Sequence, residues 1–152
     1  MTAARARSKK RSGANSTAKL HKPLVFFLDR NLGTKHVANA LRAAGATVEV
    51  HNDHFLQDAR DEIWLPEVER RGWVVLTKDD RIRYRPTELA AVISAHVALF
   101  ALTSGNLNGE EMAQAFVAAL PQMSRVLAKH RLPLIAKVTR SGEVSLVFTG
   151  DT

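Results

Sequence analysis

The chain has no cysteine. Disulfides, zinc–thiolate sites and thiol catalysis are therefore excluded, as a reducing cytoplasm would suit. Long apolar runs are also missing. The longest, Leu89–Leu102, has 14 residues and is interrupted by Ser94 and His96, too short to cross a bilayer as a helix. The N-terminus carries charge but no apolar stretch of the secretory type. No G-x-G-x-x-G and no Walker A sequence is present, which removes most of the weight from nucleotide-cofactor readings. No internal repeat is visible.

Acids are absent from the first 22 residues, which hold seven bases: Arg5, Arg7, Lys9, Lys10, Arg11, Lys19 and Lys22. The remainder has 15 bases and 15 acids, so this tail supplies the whole net charge of +7. A high isoelectric point is thus no footprint of nucleic-acid binding by the body. Residues 1–22 read as a basic, disordered tail, since a Ser/Ala/Lys/Arg/Gly segment cannot build a core. It is a solvated extension, a mis-set start, an arm adding non-specific phosphate affinity, or a transit peptide, although no apolar helical face precedes Leu20. Residues 23–152 are expected to form one domain, long enough for a real core and of ordinary apolar content at 45% for the chain.

What is present is a run of strand and helix signals. LVFFLD (24–29) is continuously apolar and rich in β-formers, as a strand buried on both faces should be. Thr34 is a candidate cap for a helix with Val37, Ala40, Leu41 and Ala44 at 3.6 spacing, ending at Gly45. ATVEVHN (46–52) alternates as a second strand. A helix follows within 59–71; Pro66 is expected in its first turn, which places the start near Trp64 or Leu65. WVVLT (73–77) is a third strand and HVALFAL (96–102) a fourth, separated by a helix over 87–95. Residues 109–130 carry a long amphipathic pattern that Pro121 should kink or split. LIAKVT and VSLVF flank Arg140-Ser141-Gly142-Glu143, a hairpin signal. Alternating strands and helices predict an α/β fold of three layers. The central sheet is mostly parallel, with helices on both faces and a C-terminal β-hairpin.

Two apolar strands end on aspartates, Asp29 in the first and Asp79, followed by Asp80, in the third. In a right-handed parallel arrangement these ends share one edge, where open α/β sheets keep their ligands. Asp61 begins the segment leading into the helix before the third strand, so it belongs to that edge too. Carboxylates so close repel unless a cation neutralises them, which points to Mg2+ or Mn2+. Plainer readings stand beside this one. Asp29 could accept a turn hydrogen bond, Asp61 could be a helix-start acid, and Asp79 and Asp80 could pair with Lys78 and Arg81 at the surface. His51, Asp53 and His54 form a rival cluster, read otherwise as a hydrogen-bonded turn. Lys78, Arg81, Arg83 and Arg85 are either a solvated loop or a phosphate-contacting rim beside the acids. Trp64 and Trp73 read as packing residues, and Tyr84, between two arginines, as a candidate base-stacking ring.

The order of D-R-N-L-G, H-N-D-H-F, D-E-I-W-L-P-E-V and G-W-V-V-L-T-K-D-D-R-I-R, with P-T-E after it, resembles the PIN-like domains of prokaryotic VapC-type toxins. The resemblance covers about residues 24–100. It implies a compact α/β PIN-like fold, a Mg2+- or Mn2+-dependent endoribonuclease acting on RNA, and a cognate antitoxin that blocks the site. Carried over by position, the catalytic and metal-holding acids are Asp29, Asp61 and Asp79, with Asp53 and Asp80 as further candidate ligands. Glu88 matches the acid after the basic loop. Arg30 stands where related sequences often have a second acid. PIN-type toxins are often dimers, and the apolar helices offer a homodimer interface, although a core helix looks the same. The expected location is cytoplasmic, with no membrane attachment. The competing class is a non-catalytic PIN-like interaction module in which the acids are structural. A small-molecule phosphatase lacks any nucleophile context here.

Overall fold

The computed structural model describes residues 24–32, 35–55, 61–78, 86–103 and 107–151, and for 31, 61–63 and 86–89 the backbone alone. The expected tail at 1–22 and the proposed cap Thr34 lie outside the described residues.

Among the described residues, six strands form one sheet. They are β1 (Val25–Leu28), β2 (Thr47–Val50), β3 (Val74–Thr77), β4 (Ala98–Leu102), β5 (Leu134–Val138) and β6 (Val144–Thr149). Their spatial order is β2-β1-β3-β4-β5-β6. The first five run parallel, and β6 returns antiparallel to β5. The expected mixed α/β architecture with a late hairpin is therefore the observed one. Four α-helices among the described residues connect or follow the strands: α1 (His36–Ala43), α2 (Asp61–Arg71), α3 (Pro86–Ser94) and α4 (Gly109–Lys129).

Period-two alternation sorts the strand residues between two cores. Phe26, Leu28, Val74, Leu76, Phe100 and Leu134 pack with α1 and α4. Phe27, Val75, Leu99 and Ile135 pack with Trp64, Leu65 and Val68 of α2 and Val92 of α3. Strands β3 and β4 are buried throughout, which is why their sequences are almost uninterrupted runs of apolar residues.

Local expectations fare unevenly. Helix α1 stops as its sequence suggests: Gly45 takes φ 96°, and Ala46 N–H donates to the Leu41 carbonyl at 2.9 Å. Its N-cap position is Lys35, without a side-chain cap bond. Helix α2 starts at Asp61, so Pro66 lies in its second turn and not its first. The cost is one missing donor toward the preceding turn. Burial of Trp64, Leu65 and Val68 on both sides of Pro66 outweighs that loss. Helix α4 is not split at Pro121; it continues through to Lys129. Its buried Met112, Phe116, Ala119 and Met123 lie on both sides of the proline and hold one continuous helix. Asn108 caps α4 through a reciprocal box with Glu111, at 2.8 and 3.0 Å.

Among the described residues, no helix is long and apolar enough to cross a membrane.

Candidate active site

The carboxyl ends of β1 and β3 are neighbours in the sheet, with Leu28 opposite Leu76. The next residues on these strands are Asp29 and Thr77. Asp29 N–H donates to the Leu76 carbonyl at 2.9 Å, which carries the ladder one step past β1. The Thr77 hydroxyl donates to Asp29 Oδ2 at 3.0 Å. Asp29 is half-buried, and Thr77 is 2% exposed. The chain then leaves β1 in a short 3-10 turn over Arg30–Leu32, closed by Leu32 N–H on the Asp29 carbonyl at 3.0 Å. The turn bond thus falls on the Asp29 backbone, and its carboxylate is held by the neighbouring strand.

Alternation puts Asp29 on the same sheet face as Phe27, and Thr77 on the same face as Val75. That is the face covered by α2 and α3. Helix α2 enters β3 through Gly72 and Trp73, so its first residue, Asp61, lies at the opposite end, toward the carboxyl edge of the sheet. Asp29 and the backbone of Asp61 therefore belong to one edge of one face. The Asp61 and Glu88 side chains, and the whole of Asp79, Asp80, Arg81, Arg83, Tyr84 and Arg85, lie outside the described residues. Lys78, the first residue after β3, is exposed.

The rival cluster resolves differently. His51 is 1% exposed. Its ring lies 5.5 Å from Phe55, 6.0 Å from Phe27 and 6.1 Å from Trp64, between centroids. Both ring nitrogens of His51, and the indole nitrogen of Trp64, are buried without a hydrogen-bond partner among the described residues. Burial lowers the His51 pKa; the charge of Asp29 pulls it back up, Arg30 lowers it, and the approach of the Asn52 side chain, outside good hydrogen-bond geometry, raises it. His54 instead turns to the surface and meets Glu49 at 2.7 Å. Asp53 is exposed at the end of the turn His51–Asp53. Among the described residues no three His, Asp or Glu side chains group as a metal site, so His51, Asp53 and His54 do not form one by themselves.

Of the packing residues, Trp64 is 3% exposed. Trp73 is half-buried, stacked on Phe27 at 5.6 Å with Arg71 4.9 Å over its ring. Both tryptophans line the core under α2, as the packing reading expects.

Of the candidate acid ligands at this edge, Asp29, Asp61 and Asp79, Asp29 alone has a described side chain. Asp29 offers carboxylate oxygens, of which Thr77 engages Oδ2, and oxygen is what Mg2+ and Mn2+ prefer. Sequence reasoning missed Thr77. The only signal for it was a polar residue closing an otherwise apolar strand.

A family described as a PIN like domain matches residues 24–104. A curated protein of Mycobacterium tuberculosis (strain ATCC 25618 / H37Rv), named "Putative ribonuclease VapC45", is 28% identical over 104 residues. The match spans 66% of this chain and 75% of that protein. No solved structure matches the chain. The matched segment begins one residue before β1 and ends just past β4. It contains the strand-end acid, the His51 turn and the whole of α2, and the chain belongs to the PIN-like domain family.

Proposed function

We propose that this protein is a Mg2+- or Mn2+-dependent endoribonuclease, the toxin of a toxin–antitoxin pair. The observation that carries the reading is the Asp29 carboxylate, held between β1 and β3 at the edge where parallel sheets keep their ligands. Membership of the PIN-like family supports it, as does similarity to a protein whose name includes ribonuclease.

Asp29, Asp61 and Asp79 would hold the cation, with Asp53 and Asp80 as further candidates. When bound, the cation lowers the pKa of water and offsets charge on the phosphoryl group. The protein's own work is positional. Asp29 presents an acceptor from a rigid strand end, and Asp61 belongs to the first turn of α2. Lys78, Arg81, Arg83 and Arg85 bind the RNA backbone, as cations along a phosphate path do. A cognate antitoxin would act by covering this edge.

The test is cleavage of a mixed RNA by the purified full chain with and without Mn2+. Asp29→Asn together with Asp79→Asn should lower metal-dependent cleavage by about 100-fold or more, the scale on which electrostatic groups at a reacting centre act. Undiminished cleavage by the double variant would sink the reading and return the protein to a non-catalytic interaction module.

A further inference from the structure

We infer, resting on the metal-dependent reading above, that His51 is a metal ligand sharing its ion with Asp29. The site would then have one nitrogen donor beside its carboxylates and would take a first-row transition ion in preference to Mg2+.

Sheet register brings the two residues together. Strands β2 and β1 run parallel, with Val50 opposite Leu28. One step further along each chain stand His51 and Asp29. Val50 and Leu28 belong to the α1/α4 core, so alternation sends the next side chain of each to the opposite face. His51 accordingly lies against Phe27 and Trp64, on the α2/α3 side. Neighbouring strands are about 5 Å apart, and the charge of Asp29 acts on the imidazole ring.

Packing alone gives no reason for a histidine here. The residue is 1% exposed and walled by Phe27, Phe55 and Trp64. A phenylalanine would fill such an aromatic pocket without burying polar atoms. An imidazole there costs free energy unless its nitrogens are partnered, and nearly all buried polar groups are. Among the described residues neither Nδ1 nor Nε2 of His51 has a partner. The indole N–H of Trp64, whose ring stands edge-on to His51 at 6.1 Å, has none either. His54 differs, since its Nε2 is engaged by Glu49 at 2.7 Å. A neutral imidazole carries one lone pair in the ring plane, and a cation held by Asp29 is the partner that lone pair lacks.

The donor set then selects the ion. Carboxylate oxygens alone suit Mg2+ and Mn2+, whereas imidazole suits the later first-row ions. Affinity at a mixed nitrogen and oxygen site rises from Mn2+ through Fe2+ to Co2+.

Pulsed electron paramagnetic resonance of the purified full chain with Mn2+ alone, without RNA, tests this directly. A ligating imidazole imprints a nitrogen coupling on the Mn2+ signal, and an all-oxygen site does not. The coupling should be present in the parent and absent from His51→Phe, which keeps a ring in the aromatic pocket. His54→Ala should retain it. In calorimetric titrations His51→Phe should bind Co2+ about tenfold or more weakly than the parent, at least the loss that follows removal of a ligand's outer partner. Its Mg2+ affinity should fall less, so the preference for Co2+ over Mg2+ narrows. Where His51→Phe fails to fold, His51→Leu removes the same nitrogens in its place. A parent that binds Mn2+ without imidazole coupling overturns the inference. So does a coupling that survives in His51→Phe or vanishes in His54→Ala. A parent that binds no Mn2+ at millimolar concentration overturns the metal-dependent reading itself, a result distinct from Mn2+ bound by oxygen alone.

Discussion

At the scale of single residues, His51 is the most unusual group described. Buried polar atoms are ordinarily paired, yet both its nitrogens lack a partner among the described residues and its walls are Phe27, Phe55 and Trp64. Burial holds its folded-state pKa below the ordinary value of 6.5. In acid the unfolded chain therefore takes up this proton before the folded one does. The stability it contributes is whole above about pH 6.5 and is lost as pH falls from there toward the folded-state pKa. Thermal melts between about pH 7.5 and about pH 5 should show falling stability, and His51→Phe should flatten that slope. An unchanged slope in His51→Phe would assign the acid sensitivity elsewhere. Asp151, for which the His130 hydrogen bond is the main cause of a lowered pKa, acts in a more acidic range, below its own unfolded value. By sequence, His51 belongs to a candidate metal cluster with Asp53 and His54. The side chains diverge because a 3-10 turn follows β2, sending His51 inward and His54 out to Glu49.

At the scale of elements, most starts and stops were legible because they are local. Gly45 and Gly72 both take positive φ where their helices end, as a residue without a Cβ does readily. The hairpin between β5 and β6 is also local, but its tolerance is not. Gly142 takes φ 89°, and a Cβ there would lie 2.6 Å from the Ala118 Cβ on α4. Gly142→Ala should therefore destabilise by about 1–3 kcal/mol, from backbone strain and the clash together. Urea denaturation measures it, and a loss below about 0.5 kcal/mol, the range of ordinary surface changes, would contradict the clash. The prolines depart from local expectation for the opposite reason. Local propensity sets Pro66 and Pro121 at a helix start or break, whereas the apolar residues on either side of each are buried in the core and keep the helix going.

At the scale of the whole molecule, two cores share one sheet. The α1/α4 core includes Phe116, fully buried. Both tryptophans belong with the other core, under α2. The strands between them alternate side chains into each, so neither layer keeps a sheet to pack on if the other melts. Phe116→Ala should lower stability by about 3–5 kcal/mol. Tryptophan fluorescence and far-ultraviolet circular dichroism should move to lower urea together, although the mutation and the reporters lie on opposite faces. A fluorescence midpoint that stays in place while the dichroism midpoint shifts would show that the layers unfold separately.

The amino-acid sequence alone determined the element order, the parallel sheet with its late hairpin, and the PIN-like family. Each is written in local terms: apolar runs, turn residues, and short motifs in a set order. It also singled out Asp29, because a carboxylate directly after a buried strand is a local pattern. Only the tertiary structure decided what holds that carboxylate. Thr77 stands 48 residues away in the chain, and nothing local distinguishes its hydroxyl from that of any other strand threonine. Pairing β1 beside β3, with Leu28 opposite Leu76, brings the two within hydrogen-bond distance. The same pairing, with the turn after β2, buried His51 among aromatic rings, an outcome set by packing and not by neighbouring residues in sequence.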